Sequence, residues 1–109
     1  MGEHCNWCGV EVEAGSGFRA AEPAGERRAV FCRLEHIVPW IIQGAHWDPG
    51  TIGDPDGNGL GRCAQCARAV GEDAVLLVRH RGEHRIGDAF CGPEHLLEWA
   101  KQGGRWRGA

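Results

Sequence analysis

Six cysteines and two histidines carry the chemistry open to this chain. Cys5 and Cys8 form a Cys-x2-Cys pair, and Cys32 and His36 follow as Cys-x3-His. Cys63 and Cys66 repeat the first pair, and Cys91 and His95 repeat the second. The Cys-x2-Cys pairs are offset by 58 residues and the Cys-x3-His pairs by 59, so one inner loop is expected to differ by one residue. Each set offers three thiolates and one imidazole, the donors of a closed tetrahedral zinc site. Two structural Zn2+ ions are therefore expected. Four protein ligands leave no coordination position for a reacting water, and no nucleophile–base set stands out elsewhere. The chain is read as non-enzymatic.

No cysteine lies outside the two sets. A disulfide scaffold would also need an even number, but it leaves His36 and His95 without a purpose. Residues 1–20 lack the basic start and apolar run of a secretory leader. Thiolate ligation implies a reducing compartment, and a cytoplasmic location is expected. No apolar stretch approaches the ~20 residues that span a bilayer, so no membrane partner is expected. Eleven arginines stand against one lysine, with abundant alanine and glycine. This usage matches a GC-rich coding bias and points to a bacterial source.

The positions of the ligands divide the 109 residues into two modules, 1–47 and 61–109. Residues 48–60 are rich in glycine, proline and aspartate and read as a linker. Modules of roughly 45 residues cannot bury enough apolar surface to fold alone, and a metal is the staple available here. The correspondence runs beyond the ligands. Residues 31–47 and 90–106 share eight identities in seventeen positions, among them Phe31/Phe90, Glu35/Glu94, Trp40/Trp99, Gly44/Gly103 and Trp47/Trp106. A whole structural unit is therefore expected twice.

Each unit reads as a hairpin followed by a helix. Val10 and Val12 alternate with Glu11 and Glu13, as in a half-buried strand, and Gly15 and Gly17 then suggest the turn. A second strand should end at Phe31 and deliver Cys32. In the second unit, residues 74–78 form the first strand, 81–83 the turn, and 85–90 the return to Cys91. Helices follow over about 34 to 43 and from Pro93, closed by Gly44 and Gly103. Pro39 falls inside the first helix and demands a short first turn, a kink or a later start. Trp40 and Trp99 lie four residues beyond the histidine ligands, which suits core packing and could also shield the imidazoles.

A Cys-x2-Cys knuckle, a hairpin, and two ligands at a strand-to-helix junction resemble the treble-clef zinc finger. Nearly the whole chain looks like two of them in tandem. The resemblance implies a small zinc-stabilised α+β fold in which Cys5, Cys8, Cys63 and Cys66 are knuckle ligands. Cys32, His36, Cys91 and His95 then match the ligands at the helix start. The Phe-Cys-x2-Glu-His segments are distantly similar to the TRASH and MYM groups, where the second helix ligand is usually cysteine. Gly9 matches the glycine that commonly follows the knuckle, and Ala67 replaces it in the second unit. Treble clefs serve many activities, so the fold alone assigns none.

Charge narrows the partners. The formal net charge is −3, split as −5 over residues 1–57 and +2 over residues 58–109. An acidic total argues against a dedicated duplex-DNA binder. The expected function is a protein-interaction or regulatory adaptor. Nucleic-acid binding through Arg79, Arg81, Arg85, Arg105 and Arg107 is the alternative, since these could neutralise phosphates or an acidic partner. Zinc sensing or delivery is a third reading, which requires readily exchanging sites.

Overall fold

The computed structural model describes residues 3–52, 61–71 and 74–103. They form a small α+β structure of two sheets and two helices. The first unit contains β1 (Glu3–His4), β2 (Glu11–Val12), β3 (Phe18–Glu22), β4 (Arg27–Phe31), α1 (Ile37–Ile42) and β5 (Asp48–Pro49). The second contains β6 (Val75–Arg81), β7 (His84–Phe90) and α2 (Pro93–Lys101). Asp48 and Pro49, read from sequence as the start of the linker, pair with Arg28 and Arg27 on β4. Residues 53–60 of that linker, and Arg105, Trp106 and Arg107, lie outside the described residues.

The first hairpin sits later in the chain than the alternation of residues 10–13 suggested. Glu11 and Val12 pair with His4 and Glu3 to close the knuckle and do not enter the hairpin. The hairpin itself is β3–β4, with Phe18 opposite Phe31 and its turn over Pro23–Gly25. Gly17, at φ 77°, belongs to the bend that leads into β3. Two alternating residues bury one side chain whichever strand they pair with, so the pattern could not choose. In the second unit β6 and β7 join through the two-residue loop Gly82 and Glu83, with Arg81 opposite His84. Gly82 has φ 63°, the left-handed value that such tight loops require at the first position.

β3 and β6 are hydrogen-bonded neighbours, so both hairpins share one antiparallel sheet of order β5-β4-β3-β6-β7. Phe18 pairs with Phe31 as Val75 pairs with Phe90, which makes Ala20 and Leu77 equivalent positions in their hairpins. Ala20 is paired with Leu77 itself. The sheet therefore has a local two-fold axis at that pair. The register also redistributes the one-residue difference between units. The second unit is one residue shorter before its first strand and two longer at its hairpin tip.

Those added tip residues hold the first unit. The His80 backbone N–H donates to the Gly17 carbonyl at 2.9 Å, and the Gly82 N–H donates to Gly15 at 2.9 Å. His80 Nδ1 donates to the Ala14 carbonyl at 2.9 Å. From the other side, Arg19 donates to the carbonyls of Ser16 and Glu13 and pairs with Glu3. Residues 13–17 thus give their carbonyls to donors on both hairpins. Arg19 is only 2% exposed, and burial, with Arg85 close by, pulls its pKa below the usual arginine range. The stretch around His80 at the tip of the second hairpin is thus partly an internal contact.

Both helices lie against this sheet. α1 starts late: a 3-10 turn over Leu34–His36 precedes it, and Pro39 becomes its third residue. There the missing N–H is one of those that no helical carbonyl would have accepted. Pro93 opens α2, with Glu94 in the first turn and Lys101 in the last, each complementing the helix dipole. Phe31 meets Trp40 edge-on at 5.0 Å, and Phe90 meets Trp99 in the same way at 5.2 Å. Trp47 packs edge-on against Trp40 at 4.9 Å, under the Arg27 guanidinium. Trp40 and Trp99 are core residues. One apolar cluster joins Phe31, Ile37 and Trp40 to Val75, Leu77, Phe90 and Leu96, so the two units share an interior.

Gly17 and Gly82 separate conformational from steric cost. A Cβ at Gly17 would lie 2.6 Å from Val12 Cγ1 and 2.8 Å from the Phe31 carbonyl oxygen, while one at Gly82 meets nothing within 4 Å. Gly17→Ala should lower stability by about 3 kcal/mol and Gly82→Ala by about 1 kcal/mol, read from chemical denaturation of the metal-loaded chain. Equal losses would contradict the close approach at Gly17.

Candidate metal centres

Each centre is assembled where a knuckle meets the end of a hairpin. In the first, the Cys5 N–H donates to the Val10 carbonyl at 2.8 Å and the Gly9 N–H returns to Cys5 at 3.0 Å. In the second, the Cys63 N–H donates to Arg68 and the Ala67 N–H returns to Cys63, both at 2.8 Å. Gly9 has φ 81° and Ala67 has φ 65°, so alanine adopts the left-handed turn that glycine adopts in the first knuckle. The missing glycine changes the energy of this turn, at about 1 kcal/mol, and not its shape.

The knuckles are tied to the hairpins by backbone bonds. The Asn6 N–H donates to the Val30 carbonyl at 2.6 Å, and the Asn6 side-chain oxygen accepts the Val30 N–H at 3.0 Å. The Ala64 N–H donates to the Ala89 carbonyl at 2.8 Å. Cys32 directly follows β4, and Cys91 directly follows β7. His36 ends the 3-10 turn before α1, and His95 lies in the first turn of α2. Sheet, knuckle and helix each contribute to both donor sets.

The result is two groups of four donors, Cys5, Cys8, Cys32, His36 and Cys63, Cys66, Cys91, His95. The donor atoms of each group lie within 4.8 Å of one another. Cys8 and Cys32 sulfurs are 3.6 Å apart, and Cys66 and Cys91 sulfurs 3.5 Å. His36 Nδ1 is 3.3 Å from the Cys32 sulfur and 3.6 Å from that of Cys5. His95 Nδ1 is 3.4 Å from the Cys63 sulfur. Sulfurs bound at about 2.3 Å to a tetrahedral ion sit about 3.8 Å apart, and a sulfur and a nitrogen about 3.6 Å. These five separations are close to those values. They are far from the ~2.05 Å of a disulfide, and all six thiols are free.

Electrostatics within each group ask for a cation. Burial alone would raise the Cys5 thiol, but backbone N–H groups of Cys8, Cys32 and Trp7, with His36, outweigh it and bring its pKa down to about 6. Cys63 is lowered to about 6 in the same way, against burial, by the backbone of Cys66, Cys91 and Gln65 and by His95. Cys32 is pushed up to about 11 by burial and by Cys8 and Cys5. Cys91 is pushed up to about 11, mainly by its contact with Cys66. One thiol per group ionises readily, and one resists, Cys32 chiefly through burial and Cys91 chiefly through its hydrogen bond with Cys66. A divalent ion favours the thiolate form of all three.

Of the five candidate arginines, Arg79, Arg81 and Arg85 lie among the described residues. Arg79 is half-buried and Arg81 exposed on one face of the second hairpin. Arg85 pairs with His80 and so belongs to the other face. Its guanidinium donates to the carbonyls of Gly82 and His84 in its own turn. Sequence reasoning did not single out Arg19 or Asn6, which secure the bend and the first knuckle. A lone arginine before two alanines carries no signal of burial.

Among the described residues no helix is long and apolar enough to cross a membrane. No protein family matches this chain, and neither curated proteins nor solved structures give a match.

Cys32→Ser and Cys91→Ser should each remove one metal ion and leave the other bound, read by native mass spectrometry. Retention of two ions by either variant would contradict the donor sets. Metal affinity should also fall with acidification. Bound cysteines are thiolates, so falling pH favours release, most steeply as it passes below about 6, where Cys5 and Cys63 take up protons. A chromophoric chelator titrated from pH 7.5 to 5 (roughly the span of that transition) checks the direction.

Proposed function

We propose that the chain is a tandem treble-clef zinc protein that works as a non-enzymatic protein-interaction or regulatory adaptor. The observation that carries this reading is the closure of both donor sets: eight ligand atoms, four to a group, with every cysteine used. Three thiolates and one histidine suit Zn2+, which takes four-coordinate tetrahedral sites of this composition in structural roles. The order knuckle, hairpin, helix in each unit supports the treble-clef assignment. A closed coordination shell supports a structural and not a catalytic metal.

The mechanism is rigid display. Zinc binding contributes on the order of 10–16 kcal/mol that is coupled to folding, enough to hold short knuckles and a six-residue helix that would not persist alone. Loops fixed in this way meet a partner with little ordering cost. Nucleic-acid binding and zinc delivery rest on no specific observation beyond the residues that suggested them.

Immobilised chain loaded with two zinc ions should capture a discrete protein partner from native extract, and stripping the zinc should abolish both capture and far-ultraviolet dichroism of the native type. Capture that survives chelation, or an ordered metal-free chain, would overturn the adaptor mechanism.

A further inference from the structure

The two knuckles share a backbone and differ in surface. Trp7, Val10, Glu11 and Glu13 in the first correspond, at the same offset of 58, to Gln65, Arg68, Ala69 and Gly71 in the second. Trp7 is 43% exposed and Val10 50%, two of the three large apolar side chains exposed among the described residues. Trp7 serves the metal centre through its backbone N–H, directed to Cys5, so the ligand set does not need the indole. Glu11 and Glu13 are exposed, flanking buried Val12 on the strand that closes this knuckle. The acidic partners in the ion pairs of this half are Glu3, with Arg19 and Arg28, and Glu22, with Arg27. The carboxylates of Glu11 and Glu13 take part in none among the described residues.

We propose that this first knuckle is the docking surface of the adaptor, and that it receives a basic segment of a partner protein. The inference rests on the adaptor reading and names its face and the chemistry of its ligand. Tryptophan is the side chain whose ring face best attracts an arginine or lysine cation, and a neighbouring aliphatic residue accepts the stem of such a side chain. The two carboxylates add complementary charge, within a half of the chain that carries four arginines against nine acids. The metal holds the knuckle backbone, so the ring is presented on a fixed support. The second knuckle, with Gln65 and Arg68, lacks both the ring and the charge.

The test uses the intact, zinc-loaded, isotope-labelled chain with an oligoarginine peptide, against an oligoglutamate peptide of equal length, followed by NMR. Oligoarginine should shift the Trp7 indole N–H and the amides of Glu11 and Glu13 and leave Gln65 and Arg68 in place. Trp7→Ala should weaken binding about tenfold. Glu11→Gln with Glu13→Gln, which leaves the ring intact, should weaken it and flatten its salt dependence. Both variants should keep two zinc ions. The proposal is overturned if oligoarginine leaves Trp7 unmoved, if oligoglutamate binds equally, or if Trp7→Ala has no effect. It is also overturned if Trp7 shifts with protein concentration alone, which would make a second copy the occupant. Failure here with zinc-dependent capture intact moves the docking face elsewhere; failure of both removes the adaptor reading as well.

Discussion

Four donor atoms drawn together at the junction of a knuckle, a strand end and a helix start are the constraint on which this structure depends. A pair of two-residue strands and a six-residue helix have little intrinsic persistence. A metal ion held by each donor set would fix them by joining residues 31 or 32 positions apart, such as Cys5 with His36 and Cys63 with His95. The same geometry brings three thiols together, and a divalent ion would favour their thiolate forms.

The units are not beads on a string. β3 is an interior strand because β6 lies beside it, and Ala20 and Leu77 are buried together on the local two-fold axis. The added residues of the second hairpin reach across to the bend at residues 13–17. Arg19 completes that contact from within the first unit. Its burial is compatible with charge because Ser16, Glu13 and Glu3 receive its guanidinium. The two donor sets therefore sit on a common sheet and a common interior, while their outer loops carry different residues.

The donor sets were legible because ligand chemistry fixes both residue type and spacing. The helices were legible from Pro93, Gly44 and Gly103, and Pro39 marked an irregularity in α1 without choosing between a short first turn, a kink and a later start. The first hairpin was misplaced because residues 10–13 are too few for alternation to reveal which strand they meet. The shared sheet left no trace, since pairing between strands more than fifty residues apart depends on register and not on local pattern. Arg19 and His80 become meaningful only once that pairing brings them to one bend.

The coordination of the metal is the central claim, and X-ray absorption at the zinc edge of the two-zinc protein tests it most directly. The account requires an average shell of three sulfurs at about 2.3 Å and one nitrogen at about 2.0–2.1 Å, with no water oxygen. A shell dominated by light atoms, or one with an open position filled by solvent, would contradict it.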